Sequence, residues 1–403
     1  MKNNINRRWL YLVLGVASML FAGIIYGWSI LKAPFASEFQ WQASDLALNF
    51  TLTMTFFCLG GFVGAKLSKR FGIMVSIILA GVLSAAGFIL ASTLRGDSIL
   101  MLYISYGLLA GLGIGIAYNA VISTVNAWFP DKKGLCSGCL MMGFGASSLV
   151  IGNLASSFMD SMGWRKTYVL LGIALGVVLL LTGLILRRPG SDVQLPAPKA
   201  KKSGREEAFE LQDYATGEML RRPSFWMAFI GIGLLAAVGS SVISFAKDLA
   251  LSVGAEAALA TTLVGILSVC NGLGRILTGA LFDAMGRRFT MLFSNMLTIA
   301  AAGVTLIAVV MGSLPLCIVG LCLVGMSYGS CPTVSSAFVS AFYGQKFFPT
   351  NFSIMNFNVI GSSLMATACG SLLTFTSSYT APFLVLLSLS LMALVLNLLI
   401  KKP

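Results

Sequence analysis

Apolar runs of membrane-crossing length recur from one end of this chain to the other, and no other feature constrains its fold as strongly. A helix rises 1.5 Å per residue, so about 20 residues cross roughly 30 Å of hydrocarbon. Runs of that length fall at 9–31, 46–69, 73–94, 99–127, 134–159 and 166–187, then at 223–247, 256–282, 288–311, 314–342, 348–375 and 379–400. In lipid every backbone N–H and C=O must be bonded within its own segment, so these twelve runs are expected to be helices. A transmembrane barrel needs short alternating segments, which this sequence does not offer. The 403 residues are 57% hydrophobic and only 10% charged, more apolar surface than a soluble domain of this length can bury. The expectation is an all-α membrane protein.

The net charge of +13 could point to nucleic acid, but the basic residues sit in short clusters between the runs. With the N-terminus inside, twenty-one of the 27 fall on cytoplasmic segments and five on the outer face. By the positive-inside rule both termini are then cytoplasmic, which predicts a multi-pass protein of a bacterial inner (plasma) membrane and no nucleic-acid partner. The remaining one is Arg275, inside the eighth run. The first run follows a basic start, MKNNINRRW, yet is too long for a signal peptide and lacks a clear cleavage site, so it reads as a retained helix. Eight scattered cysteines and no histidine give no disulfide framework and no metal site, and Cys136 with Cys139 reads as small-residue packing. No cofactor is expected.

One long polar stretch interrupts the pattern. It opens at Pro189-Gly190, carries the KAKK run at 199–202 and an acidic patch at Glu206, Glu207 and Glu210, and cannot form a buried core. The expected organisation is a six-helix bundle over 1–188, a cytoplasmic linker over 189–222 with one short helix before Pro223, and a second six-helix bundle over 223–403. The halves repeat at an offset of about 214 residues: Arg7-Arg8-Trp9 matches Arg221-Arg222-Pro223, Gly72 matches Gly286, Gly111 matches Gly325, and Ala127-Trp128 matches Ala341-Phe342. Repetition at half-length points to a transporter with its binding site at the midplane between halves.

Two kinds of motif narrow the family. GALFDAMGRR at 279–288, in the expected loop after span eight, resembles the signature loop of the major facilitator superfamily. Gly279 and Gly286 allow close approach, and Asp283 with Arg287 or Arg288 could form a gate latch. In the matching first-half loop Ala65, Lys69 and Ile73 replace the pattern, which leaves a charge latch there in doubt. NAWFPDKKGLCSG at 126–138, with YATGEMLRRPSFW at 214–226, resembles the oxalate/formate antiporter family, related to the monocarboxylate transporters. The resemblance covers nearly the whole chain and implies the major facilitator fold, twelve helices in two pseudo-symmetric six-helix bundles. Glycines at 107, 111, 113 and 115 read as helix packing rather than a phosphate loop, since no Gly-Lys-Ser/Thr follows.

Arg275 is the leading candidate for substrate binding. A guanidinium in hydrocarbon is costly and normally faces a cavity and a partner. It lies eight residues, about 12 Å, from Asp283 at the inner face, too deep for easy snorkelling. Since none of the fourteen acids falls mid-membrane, a substrate carboxylate is the natural partner, although an internal structural role stays open. Asn271, at i−4, shares its face. In the monocarboxylate transporters an Asp often stands there, and its replacement by Asn weakens a proton-coupling role. The resemblance also aligns Tyr118 and Tyr328 with cavity-lining tyrosines; packing is the other reading. Tyr26, Trp28, Met141, Phe144 and Asn356 are further cavity-lining candidates. The oxalate carriers' second cation, a lysine in span eleven, aligns with Val359, and Lys32 is the only other basic residue near the expected cavity.

The expected function is secondary active transport of small monocarboxylates (lactate, pyruvate or formate type) by alternating access, proton-linked through the substrate or by anion exchange. The alternatives are an oxalate or dicarboxylate exchanger and, from another class, a non-transporting carboxylate sensor, for which the linker is short. The expected partners are a monocarboxylate anion, a proton and membrane lipid, with the monomer as the working unit. No acid, histidine or metal cluster in the membrane suits an enzyme.

Overall fold

The computed structural model describes residues 2–401 other than 42, 97, 191, 192, 194 and 196–212. The KAKK run, the acidic patch and Asp97 lie outside the described residues. Among the described residues, eleven helices are long and apolar enough to cross a membrane. In order these are Arg7–Gly27, Leu48–Arg70, Gly72–Ser92, Ile99–Ala127, Gly134–Met162, Trp164–Ile185, Pro223–Ser252, Thr262–Met311, Leu314–Tyr343, Phe348–Leu373 and Thr380–Leu399. The 50 residues of Thr262–Met311 would extend about 75 Å if straight, more than two bilayer cores. Its backbone breaks at Gly286 (φ 78°, ψ −178°), so it supplies spans eight and nine. The count of twelve is restored. The signature expected as a loop is therefore helical apart from a single reversal at Gly286, where a positive φ is open to glycine without strain.

The chain divides into two compact units, residues 1–210 with 348–354 and residues 211–347 with 355–403. Each repeats the packing of the other. In the first, Gly60 and Leu112 meet, as do Gly111 with Thr53 and Gly115 with Phe57; in every pair a Cβ on the glycine would strike the partner's backbone carbonyl. At the 214-residue offset the second unit pairs Gly274 with Met326, Gly325 with Leu267 and Gly329 with Asn271, again carbonyl against glycine. Spans two and four, and spans eight and ten, thus lie against each other with backbones in contact, as small residues permit in membranes. The turn glycines agree too: Gly72 has φ 85° and Gly286 has φ 78°.

The two rare sequence strings staple the ends of these bundles. In the first unit, Arg8 Nη1 donates to Asp131 Oδ1 at 2.8 Å with its guanidinium 5.0 Å from the Phe129 ring centre. Asn126 Nδ2 donates to Ser137 Oγ at 2.6 Å, and the Trp128 indole to the Arg187 carbonyl at 2.7 Å. Spans one, four, five and six are joined by these contacts. In the second unit, a short helix at Thr216–Leu220 stands before Pro223, where the sequence predicts one. Its lead-in docks on the turn after span ten: Tyr214 N–H donates to the Tyr343 carbonyl at 3.1 Å, and Asp213 Oδ1 accepts from the amides of Gln345 at 2.8 Å and Lys346 at 3.0 Å.

Candidate functional site

Span eight carries a buried cation. Asn271 and Arg275 are one turn apart, and Arg275 Nε donates to Asn271 Oδ1 at 3.0 Å. Arg275 is 1% exposed and heads the largest fully buried side chains among the described residues. An amide oxygen on Nε fixes the plane of the guanidinium, because that group is rigid and planar. The rotor is also held from below: the Asn271 carbonyl lies against Gly329 of span ten, and Thr333 Oγ1 donates to the Arg275 carbonyl at 3.5 Å. Repeat symmetry shows what is specific here. At the same offset the first unit has Phe57 and Gly61, so the second unit alone places an amide and a guanidinium on this face.

Tyr328, next to Gly329, is buried with its ring laid on Gly239 of span seven. Asn356 is buried at the break between helices Phe348–Met355 and Asn358–Thr376, where its carbonyl accepts from Val359 N–H at 3.0 Å.

The first unit brings together three of its predicted residues. Tyr26 meets Phe144 at 5.2 Å between ring centres, Tyr118 meets Phe144 at 5.0 Å, and Phe57 meets Tyr118 at 5.1 Å, all edge-to-face. Such pairs exploit the ring quadrupole. Tyr26 reaches this cluster because span one tightens to a 3₁₀ turn at Gly23–Gly27 and because Gly23, lacking a Cβ, lies against the Phe144 carbonyl. Met141 is fully buried one turn before Phe144. Trp28 is elsewhere, 4.7 Å from the Tyr106 ring, with its indole N–H donating to the Leu46 carbonyl at 2.9 Å. Sequence reasoning missed Phe57, Phe352, whose ring stacks 6.3 Å from Tyr118, and Asn119. Asn119 Nδ2 donates to the Pro349 carbonyl at 3.0 Å and to Ser353 Oγ at 3.2 Å. A buried amide directly after Tyr118 in an apolar run was the available signal.

Of the gating candidates, Gly279 and Gly286 are buried while Asp283 and Arg288 are exposed. The Arg287 guanidinium lies 4.5 Å over the Phe342 ring. A separate ion pair ties the far end of the first unit, with Arg165 Nη2 2.7 Å from Glu38 Oε1. The Trp164 indole donates to the same carboxylate at 2.6 Å. The Arg165 hydrogen bond first, then that of Trp164, holds the Glu38 carboxyl below its ordinary range.

Comparison with known proteins fits these observations. The family model of the Major Facilitator Superfamily matches residues 10–246 and 229–403. An uncharacterized MFS-type transporter, YhjX of Escherichia coli (strain K12), is 29% identical over 281 residues, 70% of this chain and 67% of that one. The oxalate:formate antiporter of Oxalobacter formigenes is 30% identical over 288 residues, 71% of this chain and 66% of that one. These alignments span about two thirds of the relatives' length. Mouse monocarboxylate transporter 11 is 31% identical over 181 residues, 43% of this chain and 39% of its own length. Among solved structures, the E. coli fucose:proton symporter FucP superposes with a TM-score of 0.71 at 14% identity, covering 98% of this chain and 100% of that one. At that identity the likeness concerns fold alone.

Proposed function

The chain belongs to the major facilitator superfamily, a family of membrane transporters, and we propose that this member carries small monocarboxylates by alternating access. The observation that carries the reading is the buried Arg275 with its Nε held by Asn271. A carboxylate then meets the Nη1/Nη2 edge of the fork, where two parallel charge-assisted hydrogen bonds form at a defined angle. Asn271 orients the guanidinium, and Tyr328 and Asn356 are the other polar candidates in the second half. Tyr26, Tyr118, Met141 and Phe144 are the first half's candidates, and Trp28 a weaker one because its indole N–H is already bonded. The names of the oxalate:formate antiporter and monocarboxylate transporter relatives support this substrate class.

Gly279, Asp283, Gly286, Arg287 and Arg288 are assigned to gating, the reversal at Gly286 letting spans eight and nine move as a pair. The proton, where one is coupled, travels on the substrate carboxyl, since the chain has no histidine. The monomer is the working unit, in a bacterial inner membrane with both termini and the linker cytoplasmic. An impermeant thiol reagent added outside should then label a cysteine at Arg95 and not one at Lys401, both exposed positions. The function itself is tested by uptake of labelled lactate, pyruvate, formate and oxalate into proteoliposomes, with and without a pH gradient. Uptake of none of the three monocarboxylates would defeat the proposal. A specific observation keeps the oxalate exchanger as the second reading: the relative named for that exchange is 30% identical.

A further inference from the structure

We propose that the second unit binds the headgroup of an anionic phospholipid in a basic groove between spans nine and twelve. A pocket of about 330 Å³ opens there, lined by Arg287, Arg288 and Lys401 together with Asn397 and the apolar Leu292 and Leu398. Three cations line it, with Asn397 and apolar side chains making up the rest of the lining. An anion gains from several like charges gathered in one groove, and the low-dielectric membrane edge enlarges that effect.

The groove's position selects the anion. Arg287 and Arg288 begin span nine and Lys401 follows the end of span twelve, so all three lie where these helices leave the hydrocarbon. Basic pockets between helices at that depth suit lipid phosphates. Below the cations the walls are apolar and lipid-accessible, with Leu292 38% and Leu398 64% exposed, which fits acyl chains rather than a free ion. The Phe342 ring under Arg287 keeps that guanidinium from swinging into water. This groove is also no general consequence of the fold. At the repeat offset the first unit has Ile73 and Met74 in place of the two arginines. There Arg187, the counterpart of Lys401, is spent on the carbonyl groups of Gly183 at 3.0 Å and Leu186 at 3.2 Å.

The test uses the full-length purified protein in neutral detergent, titrated separately with phosphatidylglycerol, phosphatidylcholine and inorganic phosphate while lipid retention is read by native mass spectrometry and stability by thermal unfolding. Phosphatidylglycerol should be retained and should raise the Tm, whereas phosphatidylcholine and phosphate should do neither. At about a factor of five per basic residue, the double variant Arg288→Gln/Lys401→Gln should lose roughly thirtyfold in apparent phosphatidylglycerol affinity. Lys401→Arg should keep it, which separates lost charge from misfolding. Equal retention of phosphatidylcholine, or unchanged phosphatidylglycerol affinity in the folded double variant, overturns the proposal. Full stabilisation by inorganic phosphate overturns the lipid assignment in favour of a free-anion site.

Discussion

Arg275 Nε and Asn271 Oδ1 are 3.0 Å apart on one face of span eight, so a neutral amide fixes the plane of the buried guanidinium. A neutral amide orients the group without cancelling its charge. Asn271→Asp would supply an internal carboxylate one turn away and should lower apparent substrate affinity at least tenfold while stability holds or rises. Asn271→Ala removes the acceptor of a buried charged donor and should cost about 1–3 kcal/mol. Arg275→Ala and Arg275→Lys should both abolish transport in folded protein, since lysine keeps the charge and loses the planar fork. Binding and uptake assays check this; near-normal affinity in Arg275→Lys would rule out bidentate binding.

Gly329 should be nearly intolerant of substitution. Its missing side chain is the space filled by the Asn271 carbonyl, so Gly329→Ala pushes spans eight and ten apart at the turn that aims Arg275. The obstacle is backbone, which cannot rotate away as a side chain could. We expect a fall in Tm together with loss of transport. Gly303, around which the structure leaves open space, is the control: Gly303→Ala should keep both. Loss of transport in Gly329→Ala with an unchanged Tm would point to a local role at the site instead.

Much of this was legible in the sequence, for physical reasons that also mark the limits. Hydropathy found the spans because lipid imposes length and composition together, and the run at 99–127 coincides with the helix Ile99–Ala127. Arg275 stood out because a lone guanidinium in an apolar run has few bland explanations. The helical course of GALFDAMGRR did not, because polar residues between two spans read as a loop whether or not one glycine reverses the chain. The first unit's aromatic cluster was half visible. Tyr118 is named by resemblance and Tyr26 and Phe144 as further cavity-lining candidates, but Phe57 and Phe352 look like any apolar residue until packing brings the rings together. Asn119 was missed because its partners, Pro349 and Ser353, are more than two hundred residues away in the chain.

The Glu38–Arg165 pair predicts a pH dependence. A carboxyl whose folded pKa is lowered contributes stability above its unfolded pKa and loses it as pH falls through the folded value. Wild type should therefore exceed Glu38→Gln in Tm by a constant amount above about pH 5 and converge on it under stronger acid. Both partners are well exposed, so the difference should be small and should shrink further with salt. Thermal unfolding of both proteins across pH checks this, and a gap that widens on acidification would reverse the assigned sign.

The last prediction concerns substrate charge, and follows from Arg275 as the cation buried within a span, where the resemblance gives the oxalate carriers two. A monoanion on Arg275 leaves a neutral site, while a dianion leaves one negative charge in a poorly solvated place. An unpaired charge of that kind costs several kcal/mol, and each 1.4 kcal/mol is tenfold in affinity. Discrimination against oxalate should thus be on the order of a hundredfold or more, unless Lys32 relieves it. Lys32 is half-buried and caps the short helix Trp28–Leu31 in the first unit. Competition decides the matter: lactate or pyruvate should block labelled uptake at concentrations where oxalate does not. Val359 is half-buried and, by the resemblance, aligns with the oxalate carriers' second cation, so Val359→Lys should raise oxalate affinity toward that of the monoanions. Lys32→Gln should leave monoanion uptake intact. Oxalate competing as well as lactate in the unmodified protein, with that competition lost in Lys32→Gln, would replace the monocarboxylate assignment by the exchanger.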